Sequence, residues 1–213
     1  MTRLYVYAFT AEPLKAFTAH GRRLHTLDIA GVHVVADREL PDQEPSEEAL
    51  RRQHAIVEAL AARTGALLPA RFGSSVDAAH LRQMLEAGGE SVRTALENVR
   101  GRQQMTVRLP GAPASPVQAP AAGTSGAAYL ERKRAALVQP DPTVLADVRS
   151  AVGGFVRGER MLPGRASQRP VVFHLVDRDR VGEYRARIVS AAGSVVTVSG
   201  PWPPFAFTPE ILR

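Results

Sequence analysis

The sequence predicts an α+β protein built from two small layers, and three observations carry that expectation. Before residue 110 the pattern runs strands, helix, strand, helix, strand. Residues 110–126, PGAPASPVQAPAAGTSG, then hold no large apolar residue except Val117. After them a strand–helix–strand unit follows. The expected organisation is an α+β domain over 1–109, a Pro-, Ala- and Gly-rich linker over 110–126, and a second α+β domain over 127–213 that ends in a tail. At 213 residues, 45% hydrophobic and 23% charged, the chain has room for one or two domains with a real core.

Residues 3–9 (RLYVYAF) are β-branched and aromatic, a first strand buried on both faces. Such a start is not a secretory leader, and the chain reads as soluble and cytoplasmic. LHTLDI and VHVVA flank Ala30-Gly31 and predict a hairpin. Helix 46–63 opens on Ser46 as N-cap, with Glu47 and Glu48 at the positive end of its dipole. Leu50, Ile56, Val57, Leu60 and Ala61 give it an apolar stripe on which His54 also lies, and Gly65 terminates it. Residues 66–73 read as an edge strand broken by Pro69.

Asp77 caps a second helix over 78–99, with Leu81, Leu85, Val92, Leu96 and Val99 on one face, and Gly88-Gly89 marks a bend or break in it. Residues 103–109 alternate as a half-buried strand. Beyond the linker, 127–138 and 143–152 read as helices, and FVRGERMLPGR is ambiguous between states. Residues 171–176 form a buried strand, 178–191 an amphipathic helix, and 194–199 a last strand.

Charge and motif narrow the function. Lys+Arg exceed Asp+Glu by 27 to 21, a net +6 carried almost wholly by arginine; Lys15 and Lys133 are the lysines. The arginines are scattered, so the charge does not point to nucleic acid. The Glu131–Arg134 run reads as a solvated helix face. The absence of cysteine excludes disulfides, thiolate metal sites and a thiol nucleophile. None of the six histidines forms a helical i, i+4 pair; His25 and His33 face each other only if the hairpin register allows it. No nucleophile elbow, phosphate loop or dinucleotide fingerprint is present, so neither cofactor nor metal is expected.

Two segments stand out. Pro69-Ala70-Arg71-Phe72-Gly73 is a shaped corner at a strand end: either a buried turn with Arg71 paired to an acid, or a contact surface. Gly200-Pro201-Trp202-Pro203-Pro204-Phe205-Ala206-Phe207 holds the single tryptophan and two phenylalanines among prolines that forbid a helix or central strand. It is expected to run extended, close to polyproline II. Aromatics at that density either pack back over their own domain or are offered to a partner.

Taken in order, these segments resemble the GvpL/GvpF family of gas vesicle accessory proteins. The resemblance begins at Leu4-Tyr5-Val6-Tyr7-Ala8 and continues through His54, Leu68-Pro69-Ala70-Arg71-Phe72-Gly73, and Gln104-Met105-Thr106-Val107-Arg108. It goes on through Tyr129-Leu130-Glu131-Arg132-Lys133 and His174-Leu175-Val176 and closes on Gly200–Phe207. Gln104 stands where the family often has an acid. The resemblance implies two α+β domains, the first ferredoxin-like, and a non-enzymatic part in building gas-filled protein compartments. The implied partner is the small apolar shell protein, GvpA or a relative, with other accessory proteins also possible contacts. On this reading the partner-binding residues are Arg71, Phe72, Trp202, Pro203, Pro204, Phe205 and Phe207. Two alternatives remain from the residues alone: a ferredoxin-like module for RNA or a small ligand, and an enzyme using His54 and Arg71 in a cleft with an acid.

Overall fold

The computed structural model describes residues 3–38, 44–112, 137–165 and 168–212. Two compact units emerge, Met1–Gln104 with Trp202–Arg213, and Met105–Pro201. This differs from the expected division. The first boundary falls inside a strand, after Gln104, and the tail belongs to the first unit rather than to the C-terminal domain. The reason is that the tail's aromatic, threonine and isoleucine side chains find their partners there, as described below.

In the first unit β1 (Arg3–Thr10) is central, with seven consecutive buried residues. β2 (Phe17–Ala19), β3 (Arg22–Ile29) and β4 (Val32–Asp37) lie to one side of it. β5 (Leu67–Pro69) and β6 (Ser75–Asp77) pair with β1 on the other, and the order is β2-β3-β4-β1-β5. Every pairing in this sheet is antiparallel. The hairpin around Ala30-Gly31 forms as expected, with φ of 54° and 73° at its two turn residues, the left-handed pair that suits a two-residue turn. A second hairpin of the same kind, at His20-Gly21 (φ 47° and 75°), joins β2 to β3. The register sets His25 against Ala36 and His33 against Asp28, so the two histidines do not meet.

α1 (Glu47–Ala61) starts where Ser46 accepts the Ala49 N–H at 3.1 Å. Its buried residues are Gln53, Ile56, Val57 and Leu60, whereas Leu50 is 47% exposed. The stripe that meets the sheet is thus rotated from the expected one, toward a glutamine and away from His54. Ala62, not Gly65, caps its end. α2 (Ala78–Val99) is capped by Asp77 and runs unbroken through Gly88-Gly89, with the predicted stripe buried. The faces of β1 divide between the helices. Tyr5 and Tyr7 join Ile56, Val57 and Leu60 of α1 in one core, while Val6 and Phe9 share a cavity wall with Leu81 and Met84 of α2. β4, α1 and β5 form a split crossover, with β1 between its two strands.

The next strand, β7 (Arg102–Arg108), does not return to that sheet. It joins a four-stranded sheet in the order β12-β7-β11-β9, with β9 (Val156–Leu162), β11 (Val171–Asp177) and β12 (Thr197–Trp202). The ambiguous 155–165 stretch therefore contains an edge strand. The last strand lies three residues later than expected, because 193–195 form a 3-10 turn first. A short ladder, β8 (Leu137–Val138) with β10 (Gly164–Arg165), completes the strands described. The helix expected over 127–138 lies outside the described residues except for Leu137 and Val138, which are strand; the linker beyond Ala112 also lies outside them. α3 (Pro142–Val152) is capped by Asp141, and α4 (Val181–Ala192) presents Tyr184 and Ile188 inward. Met105, Val107, Leu109, Val148, Val152, Val172, Val176, Tyr184 and Ile188 form the core of this unit. No helix of the described residues is long and apolar enough to cross a membrane.

Candidate partner-binding site

The corner after β5 is held by a closed ring of hydrogen bonds. The Tyr5 hydroxyl accepts the Gly73 N–H at 3.0 Å and donates to Gln53 Oε1 at 2.5 Å. Gln53 Nε2 in turn donates to the Ala70 carbonyl at 3.4 Å. The Ala70 N–H bonds the Tyr7 carbonyl at 2.9 Å. Both ends of the 70–73 loop are thereby fixed from inside, and burial pushes the Tyr5 hydroxyl pKa up, against the opposing pull of the Gly73 N–H. What the ring leaves outside is the Arg71 side chain, exposed and without a hydrogen bond or ion pair among the described residues, and Phe72, half-buried. The buried-turn reading, with Arg71 paired to an acid, does not hold.

The tail folds back on the same unit. Pro203 and Pro204 are buried, Trp202 and Phe207 are half-buried, and Phe205 is 37% exposed. It is not extended throughout. After Pro204 the chain turns into a 3-10 helix, Phe205–Phe207, with Phe205 N–H bonded to Pro203 O and Phe207 N–H to Pro204 O. Proline's fixed φ suits the start of such a turn as well as an extended run. Side chains then secure it: Gln104 Oε1 accepts the Ala206 N–H at 2.8 Å, and Thr208 donates to the Pro69 carbonyl at 3.1 Å. The His54 ring lies 5.6 Å from Trp202 and 6.1 Å from Phe205, centroid to centroid, with its Nε2 3.3 Å from Glu58.

Two neighbouring residues of α1 therefore serve the two segments. Gln53 holds the corner and His54 receives the tail, because successive helical side chains point about 100° apart. Of the predicted residues, Trp202 and Phe205 meet at His54, and the tail that carries them is tied to the corner where Thr208 caps the Pro69 carbonyl. Gln53, Gln104 and Thr208 carry the arrangement and were not among the predicted residues. Gln53 had a readable signal: it falls at i−3 and i−4 from Ile56 and Val57, on the buried stripe, where a polar side chain must find partners. Gln104 and Thr208 find theirs only through folding, across 102 and 139 residues of sequence.

Beside the corner is a cavity of about 210 Å³ lined by Val6, Phe9, Ala70, Leu81, Met84 and Ile211, among others. Its wall mixes apolar side chains with polar ones from Ser74, Ser75 and His80, and it opens to solvent. No group of three His, Asp or Glu among the described residues is placed to hold a metal ion.

The second unit has its own buried polar cluster. His174, fully buried, has Nδ1 2.6 Å from the Tyr184 hydroxyl and Nε2 3.1 Å from Glu159 Oε2. Arg149 closes on the same carboxylate through Nε at 3.2 Å and Nη2. The Arg149 hydrogen bonds hold the Glu159 pKa below its usual range, against its partial burial. An ionised Glu159 only accepts, so His174 donates from Nε2 and its Nδ1 accepts the Tyr184 proton. Desolvation lowers the His174 pKa despite Glu159, and desolvation also raises that of Tyr184. The inner members of the cluster, His174 and Tyr184, are buried and bonded, while Glu159 is part-exposed and Arg149 closes it at the surface.

A family model, gas vesicle synthesis protein GvpL/GvpF, matches residues 3–209. The fold is similar to the crystal structure of the gas vesicle protein GvpF from Anabaena sp. PCC7120, with TM-score 0.69, 13% identity, and 97% of this chain and 98% of that one covered. It is also similar to GvpF from Microcystis aeruginosa, with TM-score 0.70, 12% identity, and 97% and 99% coverage. No curated protein sequence matches significantly. The motifs that flank the corner and build the tail thus lie within one full-length family match, and the chain belongs to the GvpL/GvpF family of gas vesicle synthesis proteins.

Proposed function

We propose that this protein is a non-enzymatic accessory factor that binds the apolar shell protein of the gas vesicle, of the GvpA type, and assists nucleation or assembly of the wall in the cytoplasm. The observation that carries the reading is the corner. Its backbone is locked from within while the Arg71 side chain stays exposed and unpaired among the described residues, and Thr208 ties to it a tail that keeps Phe205 at the surface. A preorganised loop loses little entropy on binding, and arginine and aromatic side chains are the types enriched at interface cores. An apolar shell subunit aggregates unless such a surface covers it before it polymerises. Other gas vesicle accessory proteins are the next candidates for contact.

In fold terms the first unit is read as a ferredoxin-like variant. The support is its one split β–α–β crossover on an antiparallel sheet, while the second crossover departs to another sheet. The enzymatic alternative loses support, since His54 faces Glu58 and two tail rings and Arg71 joins no acid among the described residues.

Co-expression of the tagged protein with the shell protein, followed by capture at moderate and high salt, tests the reading. Salt-resistant capture that keeps the shell protein soluble is expected, and it should fall with Arg71→Ala and Phe72→Ala. Absence of capture by the folded protein overturns it.

A further inference from the structure

The C-terminal segment occupies a seat that it does not fill. Glycine in a helix interior is unfavourable, yet α2 carries two in succession at its middle. At Gly88 the reason is close approach: a Cβ there would stand 2.0 Å from Ile211 Cδ1. Ile211 is thus seated in a notch cut into the helix. Three residues earlier, Thr208 caps the carbonyl of Pro69 on β5, the last strand in the sheet order. The segment therefore guards an open sheet edge and plugs a helix notch together. Yet the 210 Å³ cavity remains beside Ile211 and Leu212. The recess is open to solvent, so a larger apolar side chain would cover apolar surface that the tail leaves in water. Ala70 and Gly73, which flank Arg71 and Phe72, line the same cavity.

We propose that residues 205–212 are a displaceable strap, and that the groove between the β5–β6 edge and α2 is the docking surface for an extended apolar segment of the shell subunit. That segment replaces the strap along the edge and fills the cavity with one bulky aliphatic or aromatic side chain. The identity of the occupant rests on the shell-binding reading above; the strap itself does not. Edge pairing supplies backbone hydrogen bonds, and the cavity supplies selectivity. A strap that covers the edge until a partner arrives also prevents the protein from pairing with itself.

The test uses the full chain and two probes. One is a capped peptide copying residues 205–212; the other is the same peptide with phenylalanine at the Ile211 position. Trp202, the single tryptophan, lies tilted against the His54 ring on which Phe205 of the strap stacks, and it reports strap release by fluorescence. Ile211→Ala loosens the strap and should raise peptide affinity by about tenfold or more, with the phenylalanine peptide the tighter binder. Gly88→Ala fills the notch and should abolish peptide binding while the thermal transition stays cooperative. Ile211→Ala should also capture more shell protein. If neither peptide binds any variant, the strap inference falls, even where the shell protein is captured. If the peptides behave as expected and no shell protein is captured, the groove stands and the proposed partner falls. Dimerisation through exchanged straps would overturn the proposed occupant in favour of a second copy of the chain.

Discussion

Each unit contains a buried polar cluster built on a tyrosine hydroxyl, and the two are put to opposite uses. In the first, Tyr5 and Gln53 end on the backbone of a surface loop, at Gly73 and Ala70. In the second, Tyr184 and His174 end on a carboxylate and an arginine that belong to strand β9 and helix α3. The first cluster has no member that changes charge near neutral pH, and it shapes a surface while leaving Arg71 unused. The second has three charged or titratable members besides the tyrosine, and it ties helix α3 to strands β9 and β11 and to helix α4, with Arg149 half exposed at its outer end. Buried hydrogen bonds thus preorganise a loop in one unit and clamp a core in the other.

The largest expected effect breaks the first cluster. Tyr5→Phe leaves the Gly73 N–H without its acceptor and Gln53 Oε1 without its donor. Each orphaned group costs about 1–3 kcal/mol, so a loss of about 2–4 kcal/mol is expected in denaturant unfolding. Shell-protein capture should fall with it even where the protein remains folded. Gln53→Leu should lower stability less, because the tyrosine hydroxyl keeps the Gly73 bond. A Tyr5→Phe protein as stable as the parent would show that the ring is not what holds the corner.

The next effect separates the clusters by pH. The folded-state pKa of His174 lies below its ordinary 6.5, so below that pH the unfolded chain binds more protons than the folded one. Stability should therefore decline as pH falls from about 6.5, until the lower folded-state value is passed. Glu159 adds a second loss at lower pH, since its pKa is held below 4.5 in the folded protein and its contribution fades as it protonates. His174→Gln keeps a donor and an acceptor but cannot titrate, so the decline just below 6.5 should flatten. An unchanged profile in that variant would place the pH sensitivity elsewhere. The Tyr5 cluster should contribute no slope in this range.

The same contrast explains what could be read in advance. The capped helices, β1 and the Ala30-Gly31 hairpin depend on local signals, such as Ser46, Asp77 and an apolar run, and the structure reproduces them. The hairpin at His20-Gly21 was missed because β2 spans only three residues. Gly88-Gly89 suggested a break in α2, since nothing nearby in sequence discloses that Ile211 will need the space. The tail's aromatics predict packing over its own domain or contact with a partner, whereas the tail packs on the first unit. That destination depends on Pro69, Gln104 and His54, which only the fold brings to it. The corner motif was legible as a shaped site; the Tyr5–Gln53 ring that shapes it joins residues 48 apart.

The smallest effect on stability sharpens the comparison most. Arg71 is the part of the corner to which the first cluster gives no internal work, so Arg71→Ala should change the unfolding midpoint by no more than about 0.5 kcal/mol equivalent. An arginine that stabilises nothing and yet is displayed on a fixed loop matters only through what it meets. Capture of the shell protein should therefore drop at unchanged stability, and Arg71→Lys should restore little of it if the guanidinium stacks or forms two parallel hydrogen bonds. Arg149 is the control from the other cluster. Its replacement by alanine leaves Glu159 with His174 as its remaining partner in the cluster, so it should lower stability without touching capture. If Arg71→Ala and Arg149→Ala exchange these outcomes, the division between a presenting cluster and a clamping one is wrong.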